Sequence, residues 1–208
     1  QTTVPVGLTN VAAVAGGWAH SLALKFDGTV IAWGSDYYAE TTVPAELANV
    51  VAVAAGGNHS LALQSDGTVV AWGYNRFGQA TVPEGLVNVI ALAGGGNHSL
   101  ALKADGMVVA WGDNDWGQTS FPAWPTSVVA IAAGSQHSLA LKADGKVVAW
   151  GYNGSGQATV QASLNLGVAT PTAFTTQSNC FFNWAENNYA QLFAPAQPQS
   201  QTVGTYYY

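Results

Sequence analysis

A repeat interval of 39 residues constrains this chain more than any other feature. His20, His59, His98 and His137 are spaced by it, and so are the Asp-Gly pairs beginning at Asp27, Asp66, Asp105 and Asp144 and the Trp-Gly pairs beginning at Trp33, Trp72, Trp111 and Trp150. Three independent markers in one register mean one supersecondary unit used four times, over 11–49, 50–88, 89–127 and 128–166. A unit this short cannot bury its apolar face alone, so neighbours must stack to make a core.

Within a unit the pattern is that of strands. In the second, Val50 to Ala55 is a short apolar run, strand A, broken by Gly56 and Gly57. From His59 to Gln64, Leu61 and Leu63 alternate with Ser60, Ala62 and Gln64, a period of two that marks strand B. Asp66-Gly67 supplies a hairpin turn, both residues tolerating positive φ. Thr68 to Trp72 is strand C, Gly73 to Gly78 a loop, and Gln79 to Val82 a short strand D stopped by Pro83. Four short strands in about 40 residues predict one blade of a β-propeller. The period of two excludes a helical solenoid, and the antiparallel hairpin between B and C counts against a parallel β-helix. The expected fold class is therefore all-β, a β-propeller of four-stranded antiparallel blades forming part of a larger ring.

The run from Ala54 through Gly56-Gly57-Asn58-His59-Ser60-Leu61-Ala62-Leu63, then Asp66-Gly67-Thr68-Val69-Val70-Ala71-Trp72-Gly73 and Gly78-Gln79, resembles the short bacterial repeat of the regulator of chromosome condensation family. The resemblance covers about three quarters of the chain. It implies a propeller, usually of seven blades, in a family that includes guanine-nucleotide exchange factors, photoreceptors, ligase-associated domains and secreted β-lactamase inhibitors. The 39-residue unit is most similar to those of the last group. No inhibitory residue carries over position by position.

Composition narrows the partners. Hydrophobic residues make up 49%, enough for a core, while charged residues are 8%, with 11 acidic against 5 basic. Five cations cannot form a basic patch, which excludes a nucleic-acid or anionic-membrane partner. No apolar run is long enough for a membrane span, so no membrane insertion is expected. Cys180 is the only cysteine, which excludes an internal disulfide and a cysteine metal site. No signal peptide is visible; one upstream of Gln1 would have been removed or would lie outside this sequence. A secreted or cell-surface bacterial location is the expectation that goes with the resemblance.

Both ends depart from the unit. Gln1-Thr2-Thr3-Val4-Pro5 has the phase of Glu40, Gln79, Gln118 and Gln157, and so reads as a strand D whose A, B and C strands are absent, making 1–10 the end of a preceding repeat. The excess D strand predicts upstream repeats or a partner chain, since an open array leaves an apolar flank, including Val14 and Leu22, unprotected. Residues 167–208 form a distinct tail after the 1–166 propeller. Its expected helix runs over about 179–193, with Phe181, Ala185, Tyr189 and Leu192 on one side, and ends at Pro195. The stretch from Asn179 to Glu186 resembles the start of a C-terminal module of secreted bacterial repeat proteins.

A catalytic site needs different groups converging on one point. The four histidines and four Trp-Gly tryptophans each recur at one phase, so they serve the repeat: a turn-fixing hydrogen bond for the first, blade packing for the second. Asp27, Asp66, Asp105 and Asp144 are turn formers, and the sequons Asn58-His59-Ser60 and Asn97-His98-Ser99 are coincidences of the motif. No phosphate loop, zinc-protease motif or nucleophile elbow is present. No catalytic residue, cofactor or metal site is expected.

The residues that vary between units are the informative ones. They fall in the A–B and C–D loops, which strand direction places on one face. That rim carries Trp18, Tyr37, Tyr38, Tyr74, Phe77, Trp116 and Tyr152, with Asp36, Asp113 and Asp115. Exposed aromatics with a few charges suit a protein or glycan ligand, whereas some rings could instead close gaps between blades. The expected function is a non-enzymatic secreted or surface binding scaffold. The alternative is a structural, self-assembling element that contacts other chains through its terminal strands or tail.

Overall fold

The structure, a computed structural model, describes residues 2–122 and 127–160. Gln1, residues 123–126 and residues 161–208 lie outside them, and with them the expected tail helix and Cys180.

Each unit folds as an antiparallel three-stranded sheet. The strands are β1 (Val11–Gly16), β2 (His20–Lys25) and β3 (Val30–Gly34); β4 (Val50–Ala55), β5 (His59–Gln64) and β6 (Val69–Gly73); β7 (Val89–Gly94), β8 (His98–Lys103) and β9 (Val108–Gly112); and β10 (Val128–Ala133), β11 (His137–Lys142) and β12 (Val147–Gly151). Registers repeat from unit to unit, Leu22 opposite Ala32 and Leu61 opposite Ala71. A β-bulge recurs at the start of every strand A. Each Asp-Gly forms the expected B–C hairpin, but only the glycine takes positive φ, 82° at Gly28 and Gly67. The aspartate is needed for its carboxylate, which accepts the N–H two residues on, as Asp66 Oδ1 does from Thr68 at 2.9 Å.

The core lies between units. Leu22, Leu24 and Val30 of the first pack against Val50, Val53, Ala62 and Trp72 of the second, and the same seam recurs twice more. The strands labelled A touch one another in sequence, β1 with β4, β4 with β7 and β7 with β10, so they line the inside of the array. Leu22 is fully buried in the first seam, contrary to its expected place on the open flank; Val14, on the opposite side of its sheet, is half-buried.

Two expectations about strand D are corrected. Residues 40–44, 79–83 and 118–122 form turns, so the blades are three-stranded among the described residues. The physical reason is that their backbone donors are spent locally, Thr42 N–H on Ala39 and Val43 N–H on Thr41, which leaves no ladder to pair. These segments also reach the following unit. The Glu40 carbonyl accepts Trp72 Nε1–H at 3.0 Å and Ser60 Oγ–H at 2.9 Å, and Phe121 lies edge-on to Trp150. The segment after each Trp-Gly is thus a strap that ties its unit to the next.

Glu40 holds the strap position where the others carry Gln79, Gln118 and Gln157. Gln79 accepts Phe77 N–H and donates to Asn97. Glu40 accepts Tyr38 N–H through Oε2, but its fully buried Oε1 has no partner. Glu40→Gln, which restores the carboxamide of the other units where Asn58 holds the repeat position of Asn97, is expected to raise stability by about 1–3 kcal/mol. A urea midpoint unchanged or lowered in that variant would show that Glu40 is already satisfied.

Candidate functional site: the aromatic loop face

The two loop sets are joined by backbone bonds. The N–H that opens each C–D loop reaches the last carbonyl of its own A–B loop: Ser35 to Ala19, Tyr74 to Asn58, Asp113 to Asn97 and Tyr152 to Gln136, all at 2.8–2.9 Å. On the opposite face the Asp-Gly turns meet the residue before strand A, as Ser65 N–H meets Asn49. Both variable loops therefore share one face, as strand direction predicts.

Beneath that face the histidines link units. His20, His59 and His98 place Nε2 at 2.9–3.0 Å from Ser60, Ser99 and Ser138 Oγ of the following unit. Each serine hydroxyl donates to a strap carbonyl, that of Glu40, Gln79 or Gln118. The serine must then accept from histidine, which sets the neutral Nε2–H tautomer. Nδ1 is left buried without a partner. Burial, reinforced by neighbouring histidines, pushes His59 down to about 3 and His98 to about 4. His20 is also lowered by burial, with Glu40 opposing. The repeated-environment reading holds for these three. His137 is buried too, but none of the described residues takes the place of its serine. The serine was the missed partner; its place directly after every histidine was the available signal.

The Trp-Gly indoles behave as expected. Trp72, Trp111 and Trp150 donate to the same strap carbonyls as the serines. The A–B loops form an inter-unit ladder, Trp18 N–H to Gly57, Gly57 to Gly95 and Gly96 to Ser135. Their glycines floor a shallow depression with Trp18 at its edge, the indole lying over Gly57.

One loop feature escaped the sequence reading. The second residue after each Trp-Gly, Asp36, Asn75, Asn114 or Asn153, accepts the N–H five residues on and bonds the next hydroxyl, clamping the C–D loop. Asp36, counted among the rim charges, is held by Thr41 and Thr42, and these bonds keep its pKa low. The Asp/Asn at a fixed loop position was the signal.

The rim residues form two groups. Tyr37 stands edge-on to Tyr38 with ring centroids 4.7 Å apart, Tyr38 reaches Tyr74 of the next unit at 4.5 Å, and Tyr74 faces Phe77 at 6.3 Å. Trp116 pairs with Tyr152 of the fourth unit at 4.8 Å. Tyr38–Tyr74 and Trp116–Tyr152 occupy the same repeat positions. At the intervening junction the second position holds Asp113, whose Oδ1 accepts Asp115 N–H. Tyr37 is 84% exposed, Trp116 51% and Trp18 48%. Tyr74 and Tyr152 are half-buried, so they also close gaps between units. Trp18 has no ring contact with either group among the described residues.

The profile described as Regulator of chromosome condensation (RCC1) repeat matches residues 11–40, 50–79, 89–118 and 128–157. No curated protein sequence matches the chain. Among solved structures, Prp20p of Saccharomyces cerevisiae, studied for binding to Gsp1p and histones, is 26% identical over 73% of this chain and 47% of its own, with a TM-score of 0.61. Human WBSCR16 is 26% identical over 68% of this chain and 47% of its own, with a TM-score of 0.57. The ectodomain of the Arabidopsis thaliana receptor kinase ACR4 is 23% identical over 73% of this chain and 58% of its own, also at 0.57, a likeness of fold alone. The chain spans about half the length of the first two.

Proposed function

This chain belongs to the regulator of chromosome condensation repeat family, and from that premise we propose that it is a non-enzymatic scaffold that binds a protein through the aromatic loop face. The observation that carries the reading is the aromatic pair repeated at two unit junctions on one face, with Tyr38 and Trp116 exposed, above histidines, serines and tryptophans committed to holding the units together. Aromatic anchors raised on a rigid scaffold suit protein recognition. Prp20p, studied for its binding to Gsp1p and histones and also solved with Kap60 bound, supports a protein over a glycan partner. A secreted or surface bacterial setting belongs to the reading, resting on the likeness of the short unit to secreted bacterial repeats. The alternative, contact with further repeats or chains, is favoured by the half-exposed Leu139 and Leu141 on the flank of the fourth unit, whose counterparts Leu61 and Leu63 are buried.

Selection of displayed peptides against the chain tests the proposal. Selected binders should lose about tenfold or more of their affinity for Tyr38→Ala or Trp116→Ala, and none for Phe26→Ala on the opposite face, where the ring is 79% exposed. Binders indifferent to both rim substitutions would place recognition elsewhere.

A further inference from the structure

The lysines and the paired aromatic rings lie on opposite faces of the array. Lys25, Lys103, Lys142 and Lys146 flank the Asp-Gly turns, where the ion pairs of the described residues also lie: Lys25–Asp27, Lys103–Asp105, and Lys142 and Lys146 with Asp144. The loop face carries no lysine. Its charged side chains are Arg76, Asp36, Asp113 and Asp115, beside the buried Glu40. Asp36 is occupied by its clamp. Arg76 and Asp115 are exposed, Asp113 half-exposed.

The repeat register places the other two carboxylates, Asp113, one of whose oxygens accepts Asp115 N–H, and Asp115. Asp113 occupies the position of Tyr74 and Tyr152, and Asp115 that of Arg76. The aromatic series is thus interrupted at the middle junction, with Tyr38, Tyr74 and Phe77 on one side and Trp116 with Tyr152 on the other. Ring faces attract a guanidinium or ammonium, and carboxylates between them give it a counter-charge. A neutral or acidic partner would bury Asp113 and Asp115 unpaired.

Resting on the loop-face reading above, we infer that its occupant is a cationic peptide segment, an arginine- or lysine-bearing stretch of a partner protein. One cation sits at Asp113 and Asp115 between the two aromatic pairs, and the flanking residues lie over Tyr38–Tyr74 and Trp116–Tyr152. Arg76, the lone cation of the face, opposes this occupant.

The test titrates the full chain with a peptide alternating arginine and glycine, its counterpart with glutamate for arginine, a neutral glycine–serine peptide and a chito-oligosaccharide, by calorimetry at low salt. The arginine peptide should bind, and weaken as salt rises. Joint substitution Asp113→Asn and Asp115→Asn should cost it about tenfold or more and flatten the salt dependence. Trp116→Ala should weaken it, and Arg76→Gln should tighten it. Asp66→Asn, on the turn face, controls for attraction to the chain's net charge of −6 and should change nothing. Urea midpoints establish that each variant folds. Arginine-peptide binding that ignores the Asp113/Asp115 substitution overturns the inference. So does preferential binding of a neutral, acidic or sugar probe that Trp116→Ala abolishes, but that result leaves the loop face standing as the binding surface. Absence of binding by all four probes, with rim-independent binders in the peptide selection, overturns both.

Discussion

Gly95→Ala is expected to destabilise the chain by about 3 kcal/mol, at the upper end of ordinary overpacking. Gly95 does not need a left-handed backbone; it needs to be small. A Cβ there would overlap the His98 ring and stand 2.8 Å from the Gly134 carbonyl of the next unit. The ring cannot retreat without breaking its bond to Ser138, and the carbonyl belongs to the neighbouring backbone. Gly17, Gly56 and Gly134 sit under their own histidines in the same way. Gly78→Ala is the control. Its φ is +82° and no atom lies within 4 Å of the added carbon, so only the backbone term of about 1 kcal/mol applies. Urea unfolding followed by tryptophan fluorescence measures both. Equal midpoints for the two variants would mean that the histidine pocket yields freely.

The second large effect is acid instability centred on the buried histidines. An unfolded histidine takes up a proton near pH 6.5, whereas folded His98 does so near 4 and folded His59 near 3. Between those limits the unfolded chain binds more protons, so stability falls as pH falls, by about 1.4 kcal/mol per pH unit for each histidine. Above about pH 6.5 neither contributes to the dependence. The turn aspartates are also lowered, mainly by the hydrogen bonds of the turn, and add their loss only below about pH 4. Urea midpoints at pH 7, 6 and 5 should therefore decline ever more steeply, the slope approaching two protons near pH 5 and increased by His20 and His137, which burial also lowers. His98→Gln, which keeps a donor toward Ser138, should reduce the slope by about one proton. A profile flat from pH 7 to 5 would show that the histidines charge without cost, contrary to their burial.

Much of this architecture was legible because it is local or periodic. The interval between histidines defined the unit, the alternation about Leu61 and Leu63 defined strand B, and Asp66-Gly67 defined the hairpin, since these depend on neighbouring residues alone. Strand polarity then placed Trp18, Tyr38, Tyr74, Trp116 and Tyr152 on one face. Strand D was misread because Gln79 to Val82 has the composition of a strand, and composition does not reveal that its N–H groups turn inward or that its carbonyl serves the next unit's tryptophan and serine.

What the sequence by itself determined was the unit, its strands and hairpins, and the face on which the variable loops gather, because each follows from spacings within one repeat. What only the tertiary structure decided was how units join: the His–Ser–strap relay, the glycine space beneath each histidine, and the pairing of Tyr38 with Tyr74 and of Trp116 with Tyr152 around Asp113. The histidine–serine bonds link residues 40 positions apart and the serine–strap bonds residues 20 apart, and contacts between units are set by how one sheet packs on the next, which no local pattern encodes.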